Sequence, residues 1–157
     1  MIAADGSVVH ELVLPRPRQA VFDFFVDPAR LSRWLGLGAD LEPAAGGRFR
    51  FEVQPGWFCE GAYTEVRPPE RVAFTWGWTD PSWELPPGSS LVEVDLAEAD
   101  GGTHLRLVHS RLPGFLGDLH DEGWTRFLGR LAAVATGADP GAYPAGDPAG
   151  RPGGTAP

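Results

Sequence analysis

The residues of this chain that could carry out chemistry are concentrated near its last predicted helix, where His120, Asp121 and Glu122 precede Trp124 in the segment HDEGWTRFLGRL. A further histidine, His109, lies on the preceding predicted strand. The pKa of a free histidine is about 6.5, so two histidines in one pocket could orient a polar group or transfer a proton near neutral pH. Alternatively, each ring makes a local hydrogen bond at the junction of helix and loop. The sequence leaves both interpretations open.

The acidic residues at the start of this helix have a simpler explanation than catalysis. Asp118, Asp121 and Glu122 lie where carboxylates interact favourably with the helix dipole, which favours a capping role. A metal site built from His109, His120 and one acid would match no recognised ligand spacing. The sequence also contains no GxSxG, P-loop or dinucleotide-binding motif. We therefore predict no catalytic residue, no metal and no cofactor.

The elements that would position these residues follow from hydrophobic spacing. Strands are predicted at 7–14, 46–54, 57–67, 71–79, 90–99 and 103–111, the last two joined by a turn at 100–102. Residues 18–27 form a short predicted helix, and Asp27 is expected to cap a second one that begins with Pro28. An apolar stripe predicts a long helix from about 118 to 136, with Gly137 as its C-terminal stop.

The predicted sheet is much wider than the predicted helix. Six or seven antiparallel strands at about 4.8 Å spacing measure roughly 25–30 Å across, whereas a helix with its side chains is about 10–12 Å wide. One long helix cannot cover a flat sheet of that width, so the sheet must curl around it. The predicted fold class is α+β: a curved antiparallel sheet wrapped around a long C-terminal helix, in the order β-α-α-β(5–6)-α.

Large aromatic side chains should face the space between helix and sheet, because the chain contains six Trp and nine Phe. We predict that this space is a cavity that binds a small hydrophobic or amphipathic ligand, with the two histidines as polar anchors. The predicted ligand-binding residues are Trp34, Phe49, Phe51, Trp76, Trp78, Leu105, Leu107, His109, His120, Trp124 and Phe127. The alternative is that these side chains simply fill the core, because each buried large apolar side chain contributes about 1.5–3 kcal/mol.

The overall composition excludes some classes of partner. A formal net charge of −8 argues against a nucleic-acid partner, since such binding depends on cationic contacts. The single cysteine, Cys59, cannot form an internal disulfide, and its apolar surroundings predict a buried, unreactive thiol. With no secretory signal and no stretch of membrane-spanning length, we predict a cytoplasmic protein without a membrane span.

The C-terminal segment differs in composition from the rest of the chain. Prolines recur there every fourth residue, at Pro140, Pro144, Pro148 and Pro152. So few apolar residues cannot offset the entropy of ordering the segment. We predict one domain over residues 1–136 and a disordered tail rich in Pro, Gly and Ala over residues 137–157.

An ordered set of residues resembles a known family. The set comprises Trp34, Gly46-Gly47, Gly61, Pro68 to Val72 leading to Thr75-Trp76, Gly102 to Leu105 with His109, and Gly123-Trp124. It resembles the activator-of-heat-shock-protein-90-ATPase homologue family, in the START-like (SRPBCC) superfamily, over roughly residues 7–136. The resemblance implies the helix-grip fold, in which a curved sheet grips the long C-terminal helix.

What the resemblance implies about function is broad. The superfamily includes lipid and sterol carriers, polyketide cyclases and hormone receptors, and fold alone does not choose among them. We favour a single-domain bacterial protein that binds an unidentified hydrophobic ligand. The alternatives are a cyclase-like or hydrolase-like enzyme that uses His109 and His120, and a co-chaperone-like protein with a protein partner. A homodimer is also compatible with the sequence.

Overall fold

A computed structural model describes residues 1–141, within which seven strands form one antiparallel sheet in the order β1-β7-β6-β5-β4-β3-β2. The strands are β1 (Val8–Leu14), β2 (Gly38–Leu41), β3 (Arg48–Gln54), β4 (Trp57–Arg67), β5 (Arg71–Trp76), β6 (Ser90–Ala99) and β7 (Gly102–Ser110). The helices are α1 (Arg18–Val26), α2 (Pro28–Leu35) and α3 (Gly117–Ala135). This is the predicted helix-grip architecture, with six strands between α2 and α3.

The predicted helix boundaries are confirmed. Asp27 caps α2 by accepting hydrogen bonds from the backbone N–H groups of Ala29 at 2.9 Å and Arg30 at 3.2 Å, as expected when Pro28 occupies the first helical position. Gly137 follows α3 with φ of +87°, a conformation that costs glycine little, and its N–H donates to a carbonyl of the last turn.

The capping role predicted for the acidic residues at the start of α3 is not observed. The helix has no side-chain cap, and Asp121 accepts a hydrogen bond from His10 Nε2 of β1 at 2.8 Å instead. Asp118 is the acidic residue that lies in the first turn, where it interacts with the helix dipole. The acids of this segment therefore differ in role: one lies in the dipole field and one links α3 to the edge strand.

Two strand predictions need correction. Residues 38–41, for which no strand was predicted, form β2, a four-residue strand too short for an alternation to be evident. Conversely, β5 ends at Trp76 and not at residue 79. A Cβ at Gly77 would lie 1.8 Å from the carbonyl oxygen of Pro86, so the connection 77–89 folds back tightly onto the end of β5. Beyond the end of β5, Trp78 forms an isolated β-bridge with Cys59 and is buried.

The core occupies the space between the concave face of the sheet and α3. The predicted inward positions of β3, at Phe49, Phe51 and Val53, are buried, and so are Leu105 and Leu107 of β7. The helix contributes its predicted stripe of Trp124, Phe127, Leu128, Leu131 and Ala135. No helix within residues 1–141 is long and apolar enough to cross a membrane.

The first residues after α3 are held by a side chain of that helix. Arg130 donates to the carbonyl oxygens of Trp34 at 3.1 Å and Gly141 at 2.7 Å, and so joins the chain beyond α3 to the end of α2. Most of the predicted tail, residues 142–157, lies outside the described residues.

Candidate ligand-binding site

The structure places every predicted ligand-binding residue in the interior. Their exposed fractions are between 0 and 3%. They are Trp34, Phe49, Phe51, Trp76, Trp78, Leu105, Leu107, His109, His120, Trp124 and Phe127. The strand alternation and the helix stripe therefore identified the inward side chains correctly. The polar groups among these side chains determine which ligand they could bind.

Trp76, at the end of β5, lies at the centre of these rings. Its ring centroid is 5.3 Å from that of Phe51, 5.0 Å from that of Trp124 and 5.4 Å from that of Trp78. Phe127 packs edge-on against Trp124 at 5.9 Å and so extends the contact along α3. We define the ring cluster as Trp76 and the following rings, which it joins directly or through neighbours: Phe49, Phe51, Trp57, Trp78, Trp83, His109, His120, Trp124 and Phe127.

Two tryptophans that the sequence reasoning missed complete one end of the ring cluster. Trp83, from the connection 77–89, stacks on Trp78 with ring centroids 4.8 Å apart and lies 5.5 Å from His120. Trp57, at the start of β4, lies 5.8 Å from Trp83. Trp83 was missed because it belongs to a loop without periodicity, although a lone tryptophan in such a loop is itself a signal of burial.

Trp34 has a different role from the other predicted residues. It packs edge-on against Phe25 at 5.1 Å, and its Nε1 donates to the carbonyl oxygen of Phe24 at 3.1 Å. These contacts join α1 to α2. Leu105 and Leu107 present apolar surface from β7 and belong to the same buried core.

His109 makes a hydrogen bond with each of its ring nitrogens. Trp124 Nε1 donates to His109 Nδ1 at 3.0 Å, and His109 Nε2 lies 2.8 Å from Ser90 Oγ. An indole nitrogen can only donate, so Nδ1 is the unprotonated nitrogen and Nε2 carries the hydrogen. Ser90 Oγ accepts that hydrogen and donates its own to the carbonyl oxygen of Trp76 at 2.7 Å.

His120 is fixed in the opposite tautomer by the same logic. Trp78 Nε1 donates to His120 Nε2 at 3.2 Å, and His120 Nδ1 lies 3.0 Å from the carbonyl oxygen of Leu116. Nε2 is therefore the acceptor, and Nδ1 carries the hydrogen. The two imidazoles lie edge to face with ring centroids 5.2 Å apart.

These contacts favour neutral histidines that serve as acceptors inside the core. Burial lowers the pKa of His109 well below its usual value, and the neighbouring His120 contributes in the same direction. Burial likewise lowers the pKa of His120 to about 4, although its bond to the Leu116 carbonyl opposes the shift. A proton added to either ring would place an N–H against an indole N–H.

The pair Ser90–His109 has the wrong polarity for nucleophilic catalysis. An activating histidine accepts the serine proton, whereas His109 Nε2 already carries a hydrogen and donates it to Ser90. Ser90 was missed from the sequence, although it begins the inward series of β6 that continues with Val92 and Val94. Within residues 1–141 no group of three or more His, Cys, Asp or Glu side chains is arranged to hold a metal ion.

Two indole N–H groups of the ring cluster have no acceptor within residues 1–141. Trp76 Nε1 and Trp83 Nε1 are buried and have no hydrogen-bond partner among the described residues. A buried donor without an acceptor costs about 1–3 kcal/mol, and native proteins contain few of them. These two atoms are therefore the places in the interior where an oxygen atom from outside the chain would be most favourable.

One groove on the outer surface is chemically different from this interior. A groove of about 620 Å³ is lined largely by charged side chains, among them Arg18, Arg67, Arg71, Asp95 and Arg106. Arg71 already pairs with Asp95 at 2.9 Å. Such a surface suits water and ions better than an apolar ligand, so the candidate site remains the ring cluster.

Comparison with known proteins relates the chain to solved structures and to one family. An AHSA1-like protein from Rhizobium etli is 44% identical, with 92% of each chain covered and a TM-score of 0.70. Protein MLL2253 from Mesorhizobium loti is 25% identical with a TM-score of 0.74, covering 85% of this chain and 98% of its own. An HSP90 activator from Plasmodium falciparum is 25% identical with a TM-score of 0.68, covering 83% and 96%.

No curated protein matches the chain. The family model "Activator of Hsp90 ATPase homolog 1-like protein" matches residues 15–136, which include every residue of the ring cluster. That match spans most of the described domain, and its helix-grip architecture agrees with the observed sheet and C-terminal helix. The chain therefore belongs to the Activator of Hsp90 ATPase homolog 1-like protein family.

Proposed function

We propose that this protein binds a small, mostly apolar ligand in the ring cluster between the sheet and α3. The observation that carries the proposal is the pair of buried donors, Trp76 Nε1 and Trp83 Nε1, which find no acceptor in the described part of this largely aromatic interior. Ligand sites in proteins are mostly apolar with a few oriented polar groups, and this interior has that composition. The predicted residues of the ring cluster are its walls, whereas Trp34 lies outside it, between α1 and α2.

The alternative of a fully filled core explains the aromatic rings but not the two donors. If the rings served stability alone, phenylalanine at positions 76 and 83 would provide a similar ring without an unpaired N–H. Three other indoles of this chain, those of Trp34, Trp78 and Trp124, do have acceptors. The ligand proposed here supplies the missing acceptor to one or both of the remaining donors.

The wall around Trp83 is the part that could move to admit a ligand. Trp83 and Leu85 are buried. Their neighbours along the chain, Pro81, Ser82 and Glu84, are exposed. Glu84 has φ of +56°, the left-handed region that costs a non-glycine residue about 1 kcal/mol or more. Residues 81–84 have no strand pairing and can move without breaking the sheet, whereas Trp76 belongs to β5 and cannot.

The cluster is less suited to acid–base catalysis. Catalysis by His109 or His120 would require a ring nitrogen that can exchange a proton with a substrate. All four of their ring nitrogens are already hydrogen-bonded in the interior. We therefore place the two histidines in the binding wall as acceptors of indole N–H groups.

The proposal is tested by nuclear magnetic resonance of the indole N–H groups, which give one signal for each of the six tryptophans. Titration with 2-acetylnaphthalene, a neutral aromatic ketone, should shift the signals of Trp76 and Trp83 most. The signal of Trp34 should move least, because its N–H already donates to a carbonyl outside the ring cluster. The variant Trp83→Phe keeps a ring but lacks one donor, and should bind the ketone more weakly.

A panel widened to aliphatic ketones, esters and lactones guards against a poor choice of probe. If no compound of that panel shifts any indole signal near its solubility limit, the interior is a filled core and the proposal is wrong.

A further inference from the structure

We infer that the ring cluster selects neutral carbonyl compounds over alcohols of the same shape, and excludes carboxylates. This inference rests on the proposed function and names the chemical class of its ligand. It follows from an inventory of the charged groups, acceptors and donors that a ligand would meet in the interior.

The interior offers no cation. Among residues 1–141 the buried polar or charged residues are Ser7, Ser90, Thr103, His109 and His120. The arginines lie outside this set; Arg71, for instance, points away from Val72 and Phe74 and has carboxylate partners on Glu65 and Asp95. A carboxylate in the ring cluster would therefore be a buried charge without a partner, which is strongly unfavourable.

The histidines do not supply that cation. Protonation of His109 would require Nδ1 to release the N–H of Trp124, and protonation of His120 would require Nε2 to release that of Trp78. Each ring is thus held neutral by the indole that donates to it. An anionic ligand would have to break one of these pairs before it gained a positive charge to bind.

The buried hydroxyl groups of Ser90, Thr103 and Tyr63 are already engaged in hydrogen bonds, and Tyr63 Oη donates to the carbonyl of Phe25 at 2.8 Å. Ser90 Oγ accepts from His109 and donates to the carbonyl of Trp76, and Thr103 Oγ1 donates to the carbonyl of Arg16. Trp76 Nε1 and Trp83 Nε1, which lack an acceptor among residues 1–141, are both donors. A ketone, ester, lactone or quinone oxygen matches them, whereas the hydroxyl hydrogen of an alcohol would itself need an acceptor.

The inference is tested with four compounds that share one ring system and differ in one group. They are 2-acetylnaphthalene, 1-(2-naphthyl)ethanol, 2-ethylnaphthalene and 2-naphthoate, each titrated at pH 7.5 against the full chain. The ketone should bind roughly fivefold more tightly than the hydrocarbon, since one net hydrogen bond contributes that much. It should bind roughly tenfold more tightly than the alcohol. It should bind at least roughly a hundredfold more tightly than the carboxylate.

Donor variants assign the preference to particular atoms. Trp76→Phe and Trp83→Phe each remove one unpaired N–H, and at least one of them should reduce the preference for ketone over hydrocarbon. The control Trp34→Phe removes an indole N–H that already has an acceptor, so it should leave that preference unchanged. Trp83 lies on a loop, so its variant keeps the test available if Trp76→Phe does not fold.

The outcomes separate the inference from the proposed function. Binding of 2-naphthoate as tight as that of the ketone would overturn the neutral-ligand inference and leave the proposed function intact. A preference for the ketone that survives in both donor variants would overturn the assignment to the indole donors. Failure of all four compounds and of the wider panel would overturn the proposed function itself.

Discussion

Acidification should destabilise this fold through its two buried histidines, and His120 allows the size of the effect to be calculated. Burial lowers the pKa of His120 from 6.5 to about 4. Below pH 6.5 the unfolded chain therefore binds a proton at this residue that the folded chain does not. The stabilisation is fully present above the unfolded pKa, is lost as the pH falls below it, and the loss levels off below the folded pKa.

Between pH 7.5 and 5.0 this difference in the pKa of His120 between the unfolded and the folded chain lowers the free energy of unfolding by about 2 kcal/mol. The value follows from the proton binding of each state, with an unfolded pKa of about 6.5. His109 adds a loss of the same sign, because burial also lowers its pKa. A small domain has about 5–15 kcal/mol of stability in total, so the effect is large enough to measure by urea unfolding.

The variant His120→Gln isolates the contribution of His120. A glutamine can accept from Trp78 and donate to the Leu116 carbonyl, as the imidazole does, but it does not titrate. The free energy of unfolding should therefore fall by about 2 kcal/mol less between pH 7.5 and 5.0 in the variant than in the natural chain. The control is His104→Gln, which removes an imidazole at the surface: the side chain of His104 is 39% exposed and pairs with Glu11.

Comparing pH dependences removes the direct effect of each substitution and the contribution of the carboxylates. Identical pH dependence in His120→Gln and the natural chain would refute the argument, as would an imidazole of His120 that titrates near pH 6.5. Nitrogen chemical shifts provide an independent check, because they should show hydrogen on Nε2 of His109 and on Nδ1 of His120.

Two further predictions concern the hydrogen bonds of the ring cluster. Trp78→Phe should cost about 1–3 kcal/mol more in urea unfolding than Trp83→Phe, because only the former leaves a buried imidazole nitrogen without its donor; equal losses would contradict the pairing. Ser90→Ala should lower stability by about 1–3 kcal/mol by leaving the imidazole N–H of His109 unpaired and removing one hydrogen bond to the Trp76 carbonyl, and a loss near zero would contradict it.

The fold could be predicted because its main features repeat along the sequence. Alternation at Phe49, Phe51 and Val53 and a stripe through Trp124 and Leu131 both depend on a fixed period, which hydrophobic spacing reveals. The short strand β2 and the end of β5 carry no period. Their positions depend on backbone contacts between distant segments, such as that of Gly77 with Pro86, which no local pattern encodes.

The sequence could predict which residues line the candidate site but not how their polar atoms are paired. The inward side of β7 places His109 next to α3, and the helical spacing places His120 on the face of Trp124. The sequence could not show which partner each ring nitrogen takes, because those partners come from other elements: Ser90 of β6 and Trp78 of the connection after β5. The same limit hid the part that Trp83 plays.

The histidines and the proposed ligand answer the same physical problem. Each indole brings a donor into an interior whose backbone carbonyls are largely engaged in the sheet and in α3, so the buried tryptophans need acceptors from other sources. A backbone carbonyl serves Trp34, and two neutral imidazoles serve Trp78 and Trp124. Trp76 and Trp83 have no acceptor among the described residues. An oxygen-bearing apolar molecule would complete the set without adding charge, which is why the donor count, more than the aromatic content, argues for a ligand.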